Sequence, residues 1–405
     1  MQRIVAGDTR KGWQQFRGDT AHAAHDLSRR FHRPLRWRRS TIDDPVRELV
    51  RVPLMLVTVV GPFTWTDAQW NKIRTYCLAG GSVVFSLPEG QPDLRKQVVD
   101  ALHRTFPEYR LAPLPDDAPE FTVETEIDPR PDVLAMGNGF RRFVYLPRRE
   151  WSCDWHLYRL EDQPAGFAFL YNLLSANTDG EPPESAFALS TYPERSVPAF
   201  HMQTVRMEIG GEVPAYPTVL DLMDRLLQSN YRLGVESVED ETNAHLLWVS
   251  VTGKGPVSAE EKKRIAKALE AGTFVFVDVV SGNEEWDRAT REALSSIDGV
   301  TLEDLRRTDP VFTGEIPGTQ GFDVVDVALR RALHTRLSHS GRCALYSVRY
   351  RGKHAGVYSA YDIASGVGYH LFPGCRGVMP ADARKLAMNV FLDAYRRRVQ
   401  ESQTN

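Results

Sequence analysis

The chain has 405 residues, of which 42% are hydrophobic and 25% charged, enough for two domains that each bury a core without disulfide or metal staples. Fifty basic residues against 53 acidic ones leave a net charge of −3, which argues against general nucleic-acid binding, since that requires a basic surface. Cys77, Cys153, Cys343 and Cys375 lack the spacing of a disulfide framework, the segment MQRIVAGDTR lacks the apolar core of a signal peptide, and no run approaches the ~20 apolar residues of a membrane span. Together these features predict reduced thiols, a cytoplasmic location and no membrane span.

Arg3 to Ala6 reads as a first strand and Gly7 to Gly18 as a polar loop. Ala21 to Phe31 reads as a short helix. Leu35 and Trp37 alternate with Arg36 and Arg38, the period of a strand. The cluster from Arg29 to Arg39, with Phe31, His32 and Trp37, has the arginine and aromatic mix that stacks on bases. In a chain of acidic balance it reads instead as an amphipathic strand beside a solvated helix end. Leu54 to Val60 is an apolar run. Thr66 opens a helix that stops at Ala79-Gly80, and Ser82 to Phe85 is the next strand. Leu94 to Phe106 predicts a helix with Val98, Val99 and Leu102 inward. Leu111 to Asp128, rich in proline and acid, reads as a surface excursion. Phe143 to Leu146 reads as a strand and Pro164 to Leu174 as a closing helix. Asn177 to Ser196 has the composition of a linker, with Ala186 to Leu189 as a short strand inside it. The boundary falls near Pro198, which gives domains 1–197 and 198–405.

The second domain starts with a strand from His201 to Ile209, a Gly210-Gly211 loop, and a helix opened by Pro217 in its first turn. Val219, Leu220, Leu222, Met223, Leu226 and Leu227 give that helix a wide apolar face. Leu233 and Val235 form the next strand. The stretch from Ala244 to Gly282 is the clearest in the chain. His245 to Thr252 reads as a strand buried on both faces, ended by Gly253, Gly255 and Pro256. Ser258 is placed to cap a helix, with Glu261 completing a capping box. Ile265, Ala266, Ala268 and Leu269 make one apolar stripe, and Gly272 stops the helix at a left-handed position. Thr273 to Val280 is a second buried strand carrying one acid, Asp278. Strand, helix and strand at this spacing form a parallel βαβ unit. Asp278 is thereby set at the carboxyl edge of a parallel sheet, where open α/β sheets bind ligands. Beyond it, Glu284 to Ser295 reads as a helix and Val324 to Ala332 as a short amphipathic segment. Leu345 to Arg349 and Gly356 to Ala360 form a hairpin about Arg351-Gly352. Ala381 to Arg398 closes the chain as a helix with a basic end.

The first half repeats this order. Thr66 takes the place of Ser258, Ile73 that of Ile265, and Ala79-Gly80 that of Ala271-Gly272, all at one spacing. Further matches follow with drifting spacing. Ala118 to Phe121 parallels Asp309 to Phe312, Gly139 to Tyr145 parallels Gly352 to Tyr358, and Tyr171 to Leu173 parallels Met388 to Val390. The pattern predicts a tandem duplication of a domain of roughly 190–200 residues, packed as an intrachain pseudo-dimer rather than a solenoid.

The strand with Arg206, the Gly210-Gly211 loop, the Tyr216-Pro217 helix start, the Ala271-Gly272 stop, Asp278 ahead of Gly282, Tyr358, Asp362 and Asn389 form an ordered set. Over Phe200 to Arg398 it resembles an uncharacterised bacterial family of unknown function. The fold of that family is similar to class I glutamine amidotransferases and to trehalose-utilisation (ThuA-like) proteins; the first domain follows the set more loosely. The resemblance implies two flavodoxin-like three-layer α/β domains with mainly parallel sheets, and no settled activity.

An amidotransferase needs a cysteine at a strand-to-helix elbow. The elbow candidates are Ser86, Leu87 and Pro88 in the first copy and Asp278, Val279 and Val280 in the second, with no cysteine among them; Cys77 lies on the preceding helix. Ser86 as a substitute nucleophile would need a nearby base. Asp278 and Asp362 are the catalytic candidates, as acid and base or as ligands of a divalent cation; otherwise each caps a helix. No other cofactor is expected. Ser86 and Arg149 stand in their places in the first copy, so the acidic pair belongs to the second. Arg206, Tyr216, Asp278, Gly282, Tyr361 and Asp362 are the ligand-binding candidates, with Arg206 suited to an acid or an anionic ligand and equally to a place on the strand surface. Cys153 and His156 are two zinc ligands where four are needed. His334, His339 and His370 lack metal spacing. Gly366, Gly368, Gly374 and Gly377 lack the phosphate-loop pattern and punctuate a long loop, with a flexible lid as the alternative. Three readings follow. One is a ligand-binding or scaffolding protein without amidotransferase activity, with a small polar ligand or a protein partner and no nucleic acid. The second is a hydrolase of a carbohydrate or small polar metabolite acting through Asp278 and Asp362. The third is a subunit of a larger assembly.

Overall fold

Short apolar runs alternating with amphipathic helices require a sheet covered on both faces, and each half of the chain builds one. The computed structural model describes residues 1–179, 193–211, 214–253, 257–334 and 344–404. The chain divides into one unit of Met1–Thr191 with His370–Pro373 and a second of Tyr192–Tyr369 with Gly374–Asn405. The Ala186 to Leu189 segment, Gly255, Pro256, His339 and Cys343 lie outside the described residues.

In the first unit the elements are β1 (Gln2–Ala6), α1 (Thr9–Gln15), α2 (Asp19–Arg30), β2 (Arg38–Arg39), α3 (Val46–Leu49), β3 (Leu54–Val59), α4 (Asp67–Leu78), β4 (Ser82–Ser86) and α5 (Pro92–Thr105). There follow β5 (Ala112–Pro113), α6 (Pro119–Thr122), β6 (Val133–Gly137), β7 (Arg142–Pro147), α7 (Trp151–His156) and α8 (Pro164–Ala176). The sheet runs β2-β1-β3-β4-β7-β6-β5. Its members from β2 to β7 pair in parallel and the last two antiparallel. One face carries α2, α7 and α8, whose Leu27, Trp151, Trp155, Phe169 and Leu173 pack on Leu54, Leu56 and Tyr145. On the other face Trp70 of α4 stacks on Phe85 and Phe106, just past α5, meets Phe143.

The second unit contains β8 (Phe200–Ile209), α9 (Val219–Tyr231), β9 (Leu233–Ser237), β10 (Leu246–Val251), α10 (Ala259–Glu270), β11 (Phe274–Val279), α11 (Glu284–Ser295) and β12 (Val300–Asp304). After these come α12 (Pro310–Thr313), β13 (Glu315–Ile316), β14 (Thr319–Gln320), α13 (Arg331–His334), β15 (Leu345–Tyr350), β16 (Lys353–Ser359), α14 (Ala364–Val367) and α15 (Pro380–Thr404). Its main sheet runs β9-β8-β10-β11-β16-β15-β12, again parallel as far as β16 and antiparallel beyond. Read in chain order, strand sequence and direction are the same in the two units. Both are flavodoxin-like three-layer α/β folds with mainly parallel sheets.

Local chemistry explains the regular parts. Thr66 with Gln69 and Ser258 with Glu261 each close a reciprocal capping box. Arg351 (φ 49°) and Gly352 (φ 79°) turn the β15–β16 hairpin with both central residues left-handed, as a type I′ turn requires. Asn172 on α8 and Asn389 on α15 do the same work in the two units. The Asn172 amide accepts from Glu124 N (3.3 Å) and Thr125 N (3.0 Å) and donates to the carbonyls of Glu120 (3.2 Å) and Thr125 (2.7 Å). Asn389 accepts from Phe322 N (2.8 Å) and donates to the carbonyls of Val311 (2.9 Å) and Phe322 (2.7 Å). Each pins the excursion that precedes the antiparallel pair. Gly210 and Gly253, past the ends of β8 and β10, approach so closely that a Cβ on Gly253 would overlap the Gly210 backbone, and Gly7 and Gly61 also meet past β1 and β3.

Several expectations are corrected. The polar Gly7–Gly18 segment contains α1, capped by Asp8. Only Arg38–Arg39 of the arginine-rich run joins the sheet. Arg30 bonds Asp26 (2.7 Å), and Arg39 lies over Trp13. Leu111–Asp128 is no surface excursion: Leu114, Ala118, Phe121 and Ile127 enter the core. The strands β6 and β12 went unread, the first in a proline-rich stretch and the second on a largely exposed edge. The glycine-punctuated segment is no lid, because residues 360–372 are almost wholly buried and Gly366 packs on Ala383.

Asn389→Ala and Asn172→Ala should each lower unfolding free energy by about 2–4 kcal/mol, because the stranded backbone groups lose their partners without regaining water. Urea unfolding of each variant measures this.

Candidate functional site

The carboxyl edge of the second sheet collects the residues singled out by sequence. Asp278 lies near the end of β11, fully buried, and Asp362 lies three residues past β16, also fully buried. Asp278 Oδ1 accepts from Ile363 N (2.8 Å) and Oδ2 from Ala364 N (3.0 Å). Asp362 Oδ1 accepts from Ser365 N (2.9 Å) and Oδ2 from Ser281 N (2.7 Å), with the Cys375 thiol 3.4 Å from Oδ2. All four carboxylate oxygens are thus engaged by backbone amides. Burial, and next the charge of Asp362, push the Asp278 carboxyl up to about 8, against the pull of the two amides and Arg206.

Tyr216 is buried beside this pair; burial first, then Asp362 and Cys375, hold its phenol well above the ordinary range. Arg330, fully buried, donates Nη2 to Ser365 Oγ (2.7 Å). Gly282 (φ 60°) and Tyr361 meet through Arg376, which donates to the Gly282 carbonyl (3.2 Å) and lies over the Tyr361 ring. Arg206, on β8, faces the Trp248 ring at 4.7 Å and lies 3.6 Å from Glu208. Burial lowers its pKa, and Glu208 and then Asp278 oppose that. The structure therefore brings Asp278, Asp362 and Tyr216 together, with Arg206 in their field and Gly282 and Tyr361 on the adjoining turn.

The residue with elbow-like backbone is Ser281 (φ 61°), two residues past β11 and one beyond the expected trio. No described histidine hydrogen-bonds to it. Among the described residues no group of three or more His, Cys, Asp or Glu side chains is placed to hold a metal ion. Cys77 is sealed in the first core, its thiol pushed up by burial, and Cys153 is raised in the same direction. His156 accepts from Gly18 N (3.1 Å), and the His370 ring is bonded to the Leu78 carbonyl (2.9 Å).

The first unit has the same frame with other side chains. Ser86 Oγ, buried at the end of β4, accepts from Trp151 N (3.1 Å) and Ser152 N (2.9 Å), as Asp278 accepts from Ile363 N and Ala364 N. Ser86 is a clamp, then, and not a nucleophile awaiting a base. The ladders pair Val83 with Val144 and Val275 with Gly356, so Val144 answers to Gly356, one residue earlier than in the sequence alignment. Glu150, not Arg149, therefore stands where Asp362 stands, and the first unit does keep an acid there. Burial, then Glu89 and Asp154, push the Glu150 carboxyl up to about 7. Beside it opens a cavity of about 700 Å3 walled by Arg95, Arg130, Arg149, Glu89, Asp154 and Trp151, and fringed by the starts of α5 and α8.

Residues 11–157 match the family model described as Domain of unknown function (DUF4159). No curated protein is similar enough to the chain to match it. The DUF4159 stretch runs from α1 through α7 and so lies in the first unit, whereas the resemblance read from the sequence centred on Phe200 to Arg398. Ser86, Glu150 and most of the cavity wall fall within the DUF4159 match. Sequence reading passed over this cavity, and also Glu208, Ser250, Ser281, Arg330 and Cys375. For Glu208 and Ser250 the signal was present: each lies two residues beyond Arg206 or Trp248, on the same face of its strand.

Because folded Asp278 keeps its proton up to about pH 8 while the unfolded carboxyl loses it near 4, its contribution to stability falls as pH rises through that window. The unfolding free energy of the wild type minus that of Asp278→Asn should therefore decline from pH 5 to pH 8, as measured by urea titration at each pH.

Proposed function

We propose that this is a ligand-binding or scaffolding protein without amidotransferase activity. It would be built by duplication of one unit of the class I glutamine amidotransferase and ThuA-like kind, and would hold a small polar ligand or a protein partner at the carboxyl edge of the second sheet. The observation that carries this reading is the complete engagement of Asp278 and Asp362 by backbone amides in a buried setting. Carboxylates so held frame a turn. Both are fully buried and so lack the access that proton transfer or a divalent cation would require. Ser281 in place of a cysteine at the elbow supports the loss of amidotransferase chemistry. The common strand order, the paired capping boxes and the matching roles of Asn172 and Asn389 support duplication. A cytoplasmic setting agrees with the scattered cysteines.

The alternative is a hydrolase of a carbohydrate or small polar metabolite acting through Asp278 and Asp362. It draws on the raised Asp278 carboxyl, since a group still protonated near neutrality is what a general acid needs. It also requires substrate to reach two carboxyls that have no exposure.

Chromogenic glycosides and esters separate the two. The binding reading expects the wild type to turn over no faster than the Asp278→Asn, Asp362→Asn double variant. Turnover that disappears in Asp362→Asn while the fold is retained would establish the hydrolase instead.

A further inference from the structure

Several buried donors on one face of the second sheet have no hydrogen-bond partner among the described residues. They are Thr204 Oγ1, all three guanidinium nitrogens of Arg206, Trp248 Nε1 and Ser250 Oγ. Thr204 and Arg206 stand two apart on β8, Trp248 and Ser250 two apart on β10, and the ladder sets Trp248 against Arg206. Strand alternation puts all four side chains on one face. Stranding a neutral buried donor is costly, and stranding a charged one more so. Such a cluster therefore asks for an acceptor. Arg206 has only partial compensation, from the Trp248 ring and from Glu208 at 3.6 Å, a separation beyond hydrogen-bond reach. The other Glu208 oxygen accepts from Ala215 N (3.0 Å).

The first unit shows the acceptor that such an arrangement takes. Arg3 stands opposite Leu56 on β1 and β3 as Arg206 stands opposite Trp248 on β8 and β10, and Thr58 and Ser250 follow two residues later. There the carboxylate of Asp19 joins arginine to hydroxyl. Its Oδ2 lies 3.0 Å from Arg3 Nε and accepts from Thr58 Oγ1 at 3.0 Å, and its Oδ1 accepts from Thr20 N (2.5 Å). The second unit has the arginine and the hydroxyl, but no described carboxylate hydrogen-bonds to either. Asp278 and Asp362 are engaged elsewhere by amides.

We infer that Arg206 and Ser250 bind the carboxylate group of a small metabolite, which takes in the second unit the place that the Asp19 side chain takes in the first. The location agrees: β9 flanks β8 on one side and β10 on the other, so strand order reverses here, and open α/β sheets bind ligands at such a switch point. The charges agree as well. Glu208, Asp278 and Tyr216 are the titratable groups that act most on Arg206. Tyr216 is neutral, and Asp278 retains its proton near neutrality. That leaves Glu208 as the one of the three set against an incoming anion. This inference rests on the ligand-binding reading of the second unit and adds the chemical class of the ligand.

The test is the melting temperature of the full chain against acetate, glutarate and inorganic phosphate at constant ionic strength. The expected result is a saturable rise with the two carboxylates. It should be lost in Arg206→Met, and in Ser250→Ala the apparent Kd should increase several-fold. No saturable rise with either carboxylate would mean that water alone serves these donors, and would overturn the inference. A rise that survives in folded Arg206→Met, or that is unchanged in Ser250→Ala, would place the anion elsewhere and overturn it too. Ser250→Ala, which keeps the charge, decides the matter if Arg206→Met does not fold. Preference for phosphate by about tenfold or more would replace the ligand class. A neutral sugar that raises the melting temperature independently of Arg206 would leave the broader binding reading standing while this inference fell.

Discussion

Two successive backbone N–H groups, where the chain turns after the last parallel strand into a short helix, have no partner within that helix. In both units an acceptor at the end of the neighbouring strand takes both: Ser86 Oγ takes those of Trp151 and Ser152, and the Asp278 carboxylate takes those of Ile363 and Ala364. This bond pair ties the loop after the last parallel strand to the middle of the sheet. It determines where Glu150 and Asp362 stand, how the chain enters the next helix, and which groups can gather at the carboxyl edge.

One frame with two acceptors yields two electrostatic environments. A serine hydroxyl makes the clamp without charge, and the first unit adds an internal ion pair, Arg3 with Asp19, that satisfies its buried arginine. A carboxylate makes the same clamp in the second unit and brings a second buried acid close by. The result is an Asp278 carboxyl raised by burial and by Asp362, and a guanidinium at Arg206 that no carboxylate among the described residues hydrogen-bonds. The edge of the first unit instead faces a wide cavity with arginines on its wall. The halves share strand order and diverge in the side chains at the carboxyl edge.

The acids drew attention as chemistry, and the structure gives them a mechanical task. A buried carboxylate that accepts an amide on each oxygen is a strong, directional fastener, and a stretch of sequence cannot distinguish it from a catalytic acid. Ser86 misleads in the same way: near a strand end it resembles a nucleophile, yet its lone pairs are already occupied by two amides.

The βαβ units, the Ser258–Glu261 capping box and the Arg351-Gly352 hairpin were legible in the residues themselves, because local propensity, period and turn chemistry act over a few positions. The paired asparagines, Asn172 and Asn389, were legible as a repeat but not as clamps. Tertiary structure alone decided the one-residue shift that makes Glu150, not Arg149, the counterpart of Asp362, since register depends on pairing across strands and a slip of one exchanges the faces. It alone decided that Leu114 and Phe121 are core, that each oxygen of Asp278 and Asp362 meets a backbone amide, and that Arg206 meets no hydrogen-bond acceptor among the described residues. The amides that meet Asp278, and one of the two that meet Asp362, come from more than eighty residues away along the chain, and no local pattern encodes such a pairing.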